Sequence, residues 1–449
     1  MSDFKHTVGI YTLGCKVNQY ESEAIAEEFS REGFEVSSPT DVCDLYVINT
    51  CTVTAESDRK ARQFIRRAIK KNPSAFILVT GCMAQTQPEQ VALINGVDYI
   101  CGNADKLSVV RAAKELISLG KKPTVAKNAV IPPDALGFES MKITKFDRTR
   151  AYIKIEDGCE SRCTYCTIPN ARGSIRSKSP EEVLDEVRGL VSGGCKEIVL
   201  TGIETASYGK DLGGYTLADL LEEIDKIPHI GRVRLGSLDP SLIKEAFVNR
   251  ISKLSSVTPH FHLSMQSGSD RVLALMKRKY NTKMALRAME LLRAAMPSVQ
   301  FTTDMIVGFP QETDENFEET LEFVKKARFL MIHVFPYSKR AGTPAALMSG
   351  QIPEEIKHTR AAKLSALESE IRRDLLNSMT GSHAEVLFET FKNGIASGHT
   401  PEFVEVHCKS QIPLAAQTYS VQIESNDGNV CFGTILSPTC ACRKEHDRT

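Results

Sequence analysis

The sequence lacks any excess of charge and any long apolar run. Its 56 lysines and arginines are balanced by 56 aspartates and glutamates, which excludes a globally basic nucleic-acid-binding protein but allows a local basic patch. No window approaches the roughly 18 consecutive apolar residues of a membrane span. Residues 1–9 lack the apolar core of an export signal. We therefore expect a cytoplasmic protein that neither crosses a membrane nor is exported.

Length and composition indicate several folded domains. At about 150 residues per domain, a chain of 449 residues is expected to form roughly three of them. Apolar residues make up 42% and charged residues 25% of the chain, a balance that excludes a mostly disordered protein.

The first 110 residues alternate short β-rich runs with helical patterns. Such alternation is typical of a doubly wound parallel sheet, so the fold class is α/β and residues 1–120 form the first domain. The predicted strands are 8–12, 45–49, 75–79 and 97–100, and the predicted helices are 21–32 and 57–71. Residues 121–148 contain several prolines without periodicity and are predicted to be a linker.

A longer alternation follows over residues 149–378. Six strand patterns separated by helical ones predict a partial (β/α)6 parallel barrel, in which function is expected at the C-terminal ends of the strands. These strand patterns cover residues 152–155, 198–201, 233–235, 261–265, 301–306 and 332–335. Residues 353–379 are predicted to form one long helix that closes the barrel. Residues 379–449 lose the helical period and are predicted to form a small antiparallel β-barrel.

Thirteen cysteines in a chain expected to be cytosolic are more often metal or redox ligands than disulfides. Cys159, Cys163 and Cys166 have the spacing C-x3-C-x2-C on a loop after the first barrel strand. Three thiolates can hold three irons of a 4Fe–4S cluster and leave the fourth iron open for another ligand. The alternative is a zinc site, which normally requires a fourth protein ligand.

A second group is scattered along the sequence. Cys15, Cys51 and Cys82 each follow a predicted strand of the first domain. Because the C-terminal ends of parallel strands lie at one edge of a sheet, these thiols are expected to converge on a second iron–sulfur site. The alternative is that they pack as small apolar groups. Cys101 also follows a short strand, and it is either a fourth ligand or a core thiol.

The remaining cysteines are predicted to have no ligand role. Cys43 precedes its strand and Cys195 lies at a helix–strand turn, so both are interpreted as structural. The other four lack the spacing of a cluster: Cys408, Cys431, Cys440 and Cys442.

The barrel motif, residues 158–166, resembles that of the radical S-adenosylmethionine (SAM) enzymes. Residues 13–23 (LGCKVNQYESE) resemble the opening motif of the methylthiotransferases, and are most similar to the MtaB type acting on N6-threonylcarbamoyladenosine in tRNA. The resemblance covers nearly the whole chain. Further matching segments are 167–169, 172–173, 262–269, 302–310, 333–338 and, for the C-terminal TRAM domain, 398–406.

The resemblance implies the chemistry and the cofactors. SAM would bind the open iron of the cluster on Cys159, Cys163 and Cys166, and one electron would cleave it to the 5′-deoxyadenosyl radical, which removes a hydrogen from carbon 2 of the adenine. The cluster on Cys15, Cys51 and Cys82 would hold or deliver sulfur, and a second SAM would supply the methyl group. The six cysteines are therefore the predicted metal ligands and catalytic residues of two 4Fe–4S clusters, which must face each other across a cleft.

Further residues are predicted to contact SAM or RNA. Tyr165, Ser237, Gln266 and Asp304 lie within the cluster motif or near barrel strand ends, and are predicted to contact SAM or substrate. Glu204 stands where the family more often has an asparagine motif, so no role is assigned to it.

Seven cations occupy residues 59–71, which are predicted to form an amphipathic helix. Its charged face is either simply solvated or in contact with RNA phosphates. The predicted RNA contacts are Arg59, Arg62, Arg66, Arg67 and Lys70.

The C-terminal domain is unusually acidic for an RNA-binding module. From residue 381 onward it has five lysines and arginines against eight acidic residues. Either a few cations and shape suffice for RNA binding, or this domain contributes little affinity.

The function predicted from the sequence is methylthiolation of carbon 2 of N6-threonylcarbamoyladenosine beside the tRNA anticodon. The alternatives are a methylthiotransferase for isopentenyladenosine in tRNA or for a ribosomal protein, and a non-catalytic iron–sulfur RNA-binding protein. Partners besides tRNA are a sulfur donor and a reductant of unknown identity, and we expect a monomer.

Overall fold

The computed structural model describes residues 6–146 and 149–439. Cys440 and Cys442, which were predicted to have no ligand role, lie outside the described residues. No helix in the described ranges is both long and apolar enough to cross a lipid bilayer.

The N-terminal part is a six-stranded parallel sheet in the order β2-β1-β3-β4-β5-β6. Helices α1 and α5 cover one face and α2 covers the other, so the central strands β3 and β4 are buried and apolar, as is typical of doubly wound sheets. The elements are β1 (Thr7–Thr12), α1 (Lys16–Arg31), β2 (Glu35–Ser37), β3 (Leu45–Thr50), α2 (Ala55–Lys71), β4 (Phe76–Gly81), α3 (Cys82–Thr86), α4 (Pro88–Ala92), β5 (Tyr99–Ile100), α5 (Ser108–Leu119) and β6 (Lys127–Asn128).

The predicted α/β class is confirmed, but several elements of the N-terminal domain differ from the sequence prediction, which did not include helices α3, α4 and α5. Helix α1 begins at Lys16, five residues before the predicted start, with Cys15 as its N-cap residue. Strands β2 and β6 were not predicted, because both are short and mostly exposed and so carry no apolar pattern. β6 lies within the predicted linker and pairs with β5.

The middle of the chain is a partial barrel of six parallel strands in the order β7-β10-β11-β12-β13-β14. Two three-stranded sheets are joined by two isolated parallel bridges, one from Val233 in β11 to Val257 before β12, and one from Leu238 after β11 to Leu263 in β12. All six predicted strands are present. The elements are β7 (Arg150–Lys154), β8 (Glu156–Asp157), α6 (Ile168–Arg172), β9 (Arg176–Ser177), α7 (Pro180–Ser192), β10 (Glu197–Thr201), α8 (Leu217–Asp225), β11 (Arg232–Leu235), α9 (Glu245–Ile251), β12 (His260–Gln266), α10 (Asp270–Leu275), α11 (Thr282–Ala295), β13 (Gln300–Val307), α12 (Asp314–Ala327), β14 (Met331–Pro336), α13 (Pro344–Leu347) and α14 (Glu354–Met379).

The C-terminal part is a closed five-stranded barrel in the order β15-β16-β17-β19-β18. The prediction of an all-antiparallel barrel is corrected in one pair, since β17 and β19 run parallel. The strands are β15 (His383–Lys392), β16 (Ile395–His399), β17 (Glu405–Lys409), β18 (Gln417–Asn426) and β19 (Cys431–Pro438).

This small barrel closes the N-terminal end of the larger one. The Phe403 ring lies 4.7 Å from each of the His260 and His399 rings. The guanidinium groups of Arg150 and Arg234 lie 5.1 and 4.9 Å from its centre. Two acidic residues of the small barrel also form ion pairs with the large one, Glu389 with Arg150 and Glu385 with Arg232. Two of the acidic residues of the C-terminal domain therefore form contacts between the two barrels.

Candidate active site

The cysteines of the barrel loop lie between β8 and α6, at the C-terminal end of the barrel strands. Each of the three sulfurs receives a hydrogen bond from an N–H group. The backbone N–H of Ser161 donates to Cys159 Sγ at 3.3 Å, and that of Ile168 donates to Cys166 Sγ at 3.4 Å. The Arg278 guanidinium donates to Cys163 Sγ at 3.2 Å. Hydrogen bonds to sulfur stabilise thiolates and tune iron–sulfur clusters, so this loop fits a cluster.

The structure also brings Cys15, Cys51 and Cys82 together at the edge of the N-terminal sheet. Cys15 is exposed, whereas Cys51 and Cys82 are buried. Burial, together with the charges of Cys82 and Cys15, raises the pKa of Cys51 to about 11. A charge effect of this kind requires the three thiols to lie close to one another.

These sulfurs are also surrounded by donors. The backbone N–H of Asn18 faces Cys15, and the backbone N–H of Val53 and the Ser57 hydroxyl face Cys51. The Asn103 amide donates to Cys82 Sγ at 3.6 Å. As in the barrel loop, each cysteine sulfur has hydrogen-bond donors around it, and this arrangement fits a second cluster.

Two glycines allow this convergence. Gly14 precedes Cys15 with φ of 109°, and a Cβ there would lie 2.9 Å from Cys51 Cβ. Gly81 precedes Cys82 with φ of 96°, and a Cβ there would lie 2.4 Å from Thr50 O. Side chains at either position would both strain the backbone and push the cysteine loops apart.

The two cysteine groups face each other. Burial, together with the charges of Cys163, in its own group, and Cys82, across the cleft, raises the pKa of Cys166 to about 11. Burial and the neighbouring Glu204 carboxylate raise the pKa of Cys159 to about 12. Irons favour the thiolate forms strongly enough to overcome such shifts, because ligand cysteines bind metal in the deprotonated state.

Within residues 6–146 and 149–439, no three histidine, cysteine or acidic side chains stand close enough to hold a single metal ion. A four-iron cluster does not require such closeness, because each cysteine ligates a different iron.

A cavity of about 340 Å³ opens between the barrel mouth and the N-terminal sheet. The barrel-loop cysteines line it, and so do all four residues predicted to contact SAM or substrate: Tyr165, Ser237, Gln266 and Asp304. Val53 and Thr54, which follow Cys51, form part of the wall, so both domains contribute to one space.

Sequence reasoning missed two further residues of this cavity. The Glu204 carboxylate lies 3.3 Å from both Cys159 Sγ and the Ser161 hydroxyl. Arg278 binds Cys163, the Asp239 carboxylate at 3.1 Å and the Ser264 carbonyl at 3.0 Å, so it ties the cysteine loop to two barrel strand ends. Glu204 could have been found from the sequence, because residues 202–204 (GIE) directly follow a predicted barrel strand. Arg278 lies in a loop, and no sequence pattern there indicates a functional residue.

A buried ionic network joins the loops that carry the two cysteine groups. Arg172 donates to Glu21 at 2.9 Å, Asp157 at 3.0 Å and Asn18 at 2.6 Å. Lys154 and Lys106 bind the same Glu21 carboxylate. Although burial alone would raise the pKa of Glu21, the cations Arg172, Lys106 and Lys154 hold it well below its usual range. The network therefore fixes residues next to Cys15 against residues next to Cys159 and Cys166.

We expect Arg172→Met to destabilise the protein by about 3–5 kcal/mol, because it leaves two carboxylates buried without their main partner. Urea denaturation under anaerobic conditions measures the effect. Arg31→Met is the matched control, since Arg31 forms an exposed pair with Glu28 and such pairs contribute about 0–1 kcal/mol. Equal denaturation midpoints for the two variants would contradict the structural role of the network.

A second contact closes the other side of the cleft. Arg340, in the loop after β14, donates to the Thr52 hydroxyl at 2.7 Å and to Asp58 at 2.6 Å. The Ser338 hydroxyl accepts a hydrogen bond from the backbone N–H of Ala55 at 3.1 Å. The segment around Cys51 is therefore held against the barrel mouth.

The other described cysteines lie away from the cleft. Cys101 packs in the core beneath α1 and α5, where burial raises its pKa to about 11. Cys43 and Cys195 contact backbone carbonyls, and Cys408 and Cys431 belong to the core of the small barrel.

The basic helix α2 begins at the cavity and runs away from it. Arg59 forms an ion pair with Glu56 at 2.6 Å, and the Arg67 guanidinium lies 5.9 Å from the Phe64 ring centre. Arg62, Arg66 and Lys70 recur at four-residue spacing, so they share one helix face and line a surface groove.

Residues 153–324 match the Radical SAM superfamily, and residues 7–102 match the Uncharacterized protein family UPF0004. The chain is 39% identical to the threonylcarbamoyladenosine tRNA methylthiotransferase MtaB of Bacillus subtilis, over 93% of both chains. It is 40% identical to the MtaB of Thermotoga maritima, over 89% of this chain and 90% of that protein.

Two more distant similarities were found. The tRNA-2-methylthio-N(6)-dimethylallyladenosine synthase of Desulfitobacterium hafniense is 35% identical, over 84% of this chain and 85% of that protein. The radical SAM methyltransferase TsrM of Kitasatospora setae has a similar fold, with a TM-score of 0.56 at 18% identity over 77% of each chain.

Proposed function

Because this chain belongs to the family of tRNA methylthiotransferases with a radical SAM domain, we propose that it methylthiolates carbon 2 of N6-threonylcarbamoyladenosine in tRNA. The relatives named for this substrate reach 40% identity, and the one named for the dimethylallyl substrate is 35% identical. The observation that carries the proposal is a single cavity lined by the three barrel-loop cysteines and by Val53 and Thr54, which follow Cys51 of the other group.

The cofactors of this family are SAM and 4Fe–4S clusters, and the donor sets described above fit two clusters. We propose Cys159, Cys163 and Cys166 as ligands of one, and Cys15, Cys51 and Cys82 as ligands of the other. When bound, the first cluster with SAM supplies the radical chemistry that replaces an unactivated C–H bond, and the second supplies the site of sulfur delivery.

The chain's own residues position the reactants and exclude water. Tyr165, Ser237 and Gln266 line the cavity beside the barrel cysteines, and we propose that they contact SAM. Asp304 lies in the same wall and faces either cofactor or substrate. The contacts of Arg172 and Arg340 hold the two sets of loops together on both sides of the cavity, which keeps the reacting groups in a defined geometry.

We propose that helix α2 contacts the tRNA backbone through Arg62, Arg66 and Lys70. These cations have exposed or half-buried side chains, and the N-cap residue of the helix, Thr54, lines the cavity. A target base in the cavity places its flanking phosphates near this face, where cations contribute salt-dependent affinity. Arg59 and Arg67 remain in the proposed interface, although both also have contacts within the helix.

We propose a monomer of the cytoplasm, with an N-terminal domain (1–120), a linker (121–148), a radical SAM barrel (149–378) and a C-terminal TRAM-like barrel (379–449). The linker is packed against its neighbours, since Met141 and Ile143 belong to the core of the large barrel. The sulfur donor and the reductant are separate partners.

Mass spectrometry of nucleosides from tRNA of a deletion strain tests the substrate. Loss of the methylthio group only from N6-threonylcarbamoyladenosine, with restoration by the intact gene, is the expected result. Loss of the methylthio group from the isopentenyl nucleoside would show that this nucleoside is the substrate instead. A purified protein that holds iron but never converts SAM to 5′-deoxyadenosine would be a non-catalytic RNA-binding protein.

A further inference from the structure

Arg278 is held beside a cysteine of the barrel loop by contacts from all three of its side-chain nitrogens. Its Nη1 donates to Cys163 Sγ at 3.2 Å, and its Nη2 donates to the Asp239 carboxylate at 3.1 Å and to the Ser264 carbonyl at 3.0 Å. Its Nε donates to the Tyr280 hydroxyl at 3.0 Å. Only 9% of the Arg278 side chain is exposed. The guanidinium is therefore fixed in one orientation, with one edge against the sulfur.

The turn before Arg278 has an unusual backbone and packs on the cysteine loop. Lys277 has φ of 56°, in the left-handed region that residues other than glycine seldom occupy. The backbone N–H of Thr164 donates to the Met276 carbonyl at 3.1 Å, and its hydroxyl donates to the Leu275 carbonyl at 2.9 Å. A backbone of this kind persists where the surrounding contacts hold it, and it is concentrated at functional sites.

Arg278 differs in charge from the other donors to the cysteine sulfurs. Cys159 and Cys166 receive neutral backbone N–H groups at 3.3 and 3.4 Å. Cys82 receives the neutral amide of Asn103 at 3.6 Å. A cationic donor in a place with little water makes a stronger hydrogen bond than a neutral donor does. The barrel loop is therefore distinguished by one charge-assisted hydrogen bond to a sulfur.

We propose that Arg278 raises the reduction potential of the cluster on Cys159, Cys163 and Cys166, and so makes it easier for a one-electron donor, such as a reduced flavin, to reduce it. Reduction adds one negative charge to a cluster, so a positive hydrogen-bond donor at a ligand sulfur stabilises the reduced state more than the oxidised state. Arg278 would then act on SAM cleavage through Cys163 rather than by reacting itself. The inference rests on the proposed function, because it assumes that the barrel loop holds a cluster.

Redox titration of the barrel cluster alone tests the role of Arg278. The full chain with alanine in place of the three cysteines of the N-terminal sheet provides this background. In it, Arg278→Met is expected to lower the equilibrium constant for one-electron reduction by about tenfold, which is a shift of about 59 mV to a more negative potential. Anaerobic titration with dithionite, followed by the electron paramagnetic resonance signal of the reduced cluster, measures the shift without SAM. Arg278→Lys keeps a cationic donor, and its potential should lie between the two.

Arg162→Met is the matched control, because Arg162 lies in the same cysteine loop but is exposed. It removes an equal charge that water and salt screen, so the potential should stay close to that of the background. In the complementary background, where alanine replaces the three barrel-loop cysteines, Arg278→Met should leave the potential of the other cluster unchanged. An unchanged barrel-cluster potential in Arg278→Met, or an equal shift in Arg162→Met, would overturn the proposal.

Iron content and SAM binding separate the remaining outcomes. If Arg278→Met loses iron, Arg278→Gln makes the same comparison, since it also removes the charge but keeps a polar side chain. An Arg278 variant that binds SAM more weakly at an unchanged potential would show that the guanidinium contacts the cofactor instead, and would overturn the inference. A background protein that holds no iron on the barrel loop would instead overturn the proposed function.

Discussion

Cys163→Ala is expected to reduce the conversion of SAM to 5′-deoxyadenosine by more than about a hundredfold, since loss of a direct ligand exceeds the 10- to 100-fold cost of losing an outer contact. Cys163 is buried, and its sulfur is hydrogen-bonded by Arg278. Its removal leaves two thiolates on the barrel loop and frees the guanidinium that orients it. Anaerobic assay of 5′-deoxyadenosine by chromatography measures the loss.

Cys195→Ala is the control for the loss of a buried thiol from the same barrel. Cys195 Sγ contacts the Glu197 carbonyl at 3.3 Å and lies away from the cavity, so this variant should cleave SAM at the wild-type rate. Iron should fall by about four atoms per chain in Cys163→Ala and not in the control. A Cys163→Ala protein with full iron content and normal cleavage would remove the barrel loop from the proposed ligands.

Cys51→Ala is expected to separate the two halves of the reaction. The barrel cysteines and the residues proposed to contact SAM lie outside the N-terminal sheet, so cleavage of SAM should persist. Methylthiolated product should fall below detection, because Cys51 belongs to the other cysteine group, beside Cys15 and Cys82. Parallel assays of 5′-deoxyadenosine and of modified nucleoside give the two readouts.

Cys101→Ala is the control for this second variant. Cys101 also follows a strand of the N-terminal sheet, but it packs among apolar side chains beneath α1 and α5. It should retain both activities. Loss of methylthiolation in Cys101→Ala, or its retention in Cys51→Ala, would show that the second group has been wrongly chosen.

The sequence was sufficient to predict the three-part α/β architecture, because alternating strand and helix patterns and buried apolar strands depend on local sequence. It also indicated that Cys15, Cys51 and Cys82 would converge, since each follows a strand of one parallel sheet. The start of α1 was missed because polar residues, among them Lys16, Asn18 and Gln19, fill its first turn, and Asn18 contacts Arg172 of the buried network rather than an apolar core.

The contacts between domains could not be predicted. Arg172 and Glu21 are 151 positions apart, and only the fold brings them together. Similarly, nothing local marks Phe403 as a residue that enters the end of the larger barrel, or Arg278 as the partner of a cysteine. These contacts depend on how separate domains pack, whereas periodicity reports only on the face of a single element.

The central claim is that each cysteine group holds its own cluster, and an anaerobic count of iron and sulfide per chain tests it most directly. About eight irons and eight sulfides are expected for the wild type, and about four of each when Cys15, Cys51 and Cys82 are all replaced by alanine. A wild-type protein that never exceeds about four irons, with no change in the triple variant, would contradict the second cluster.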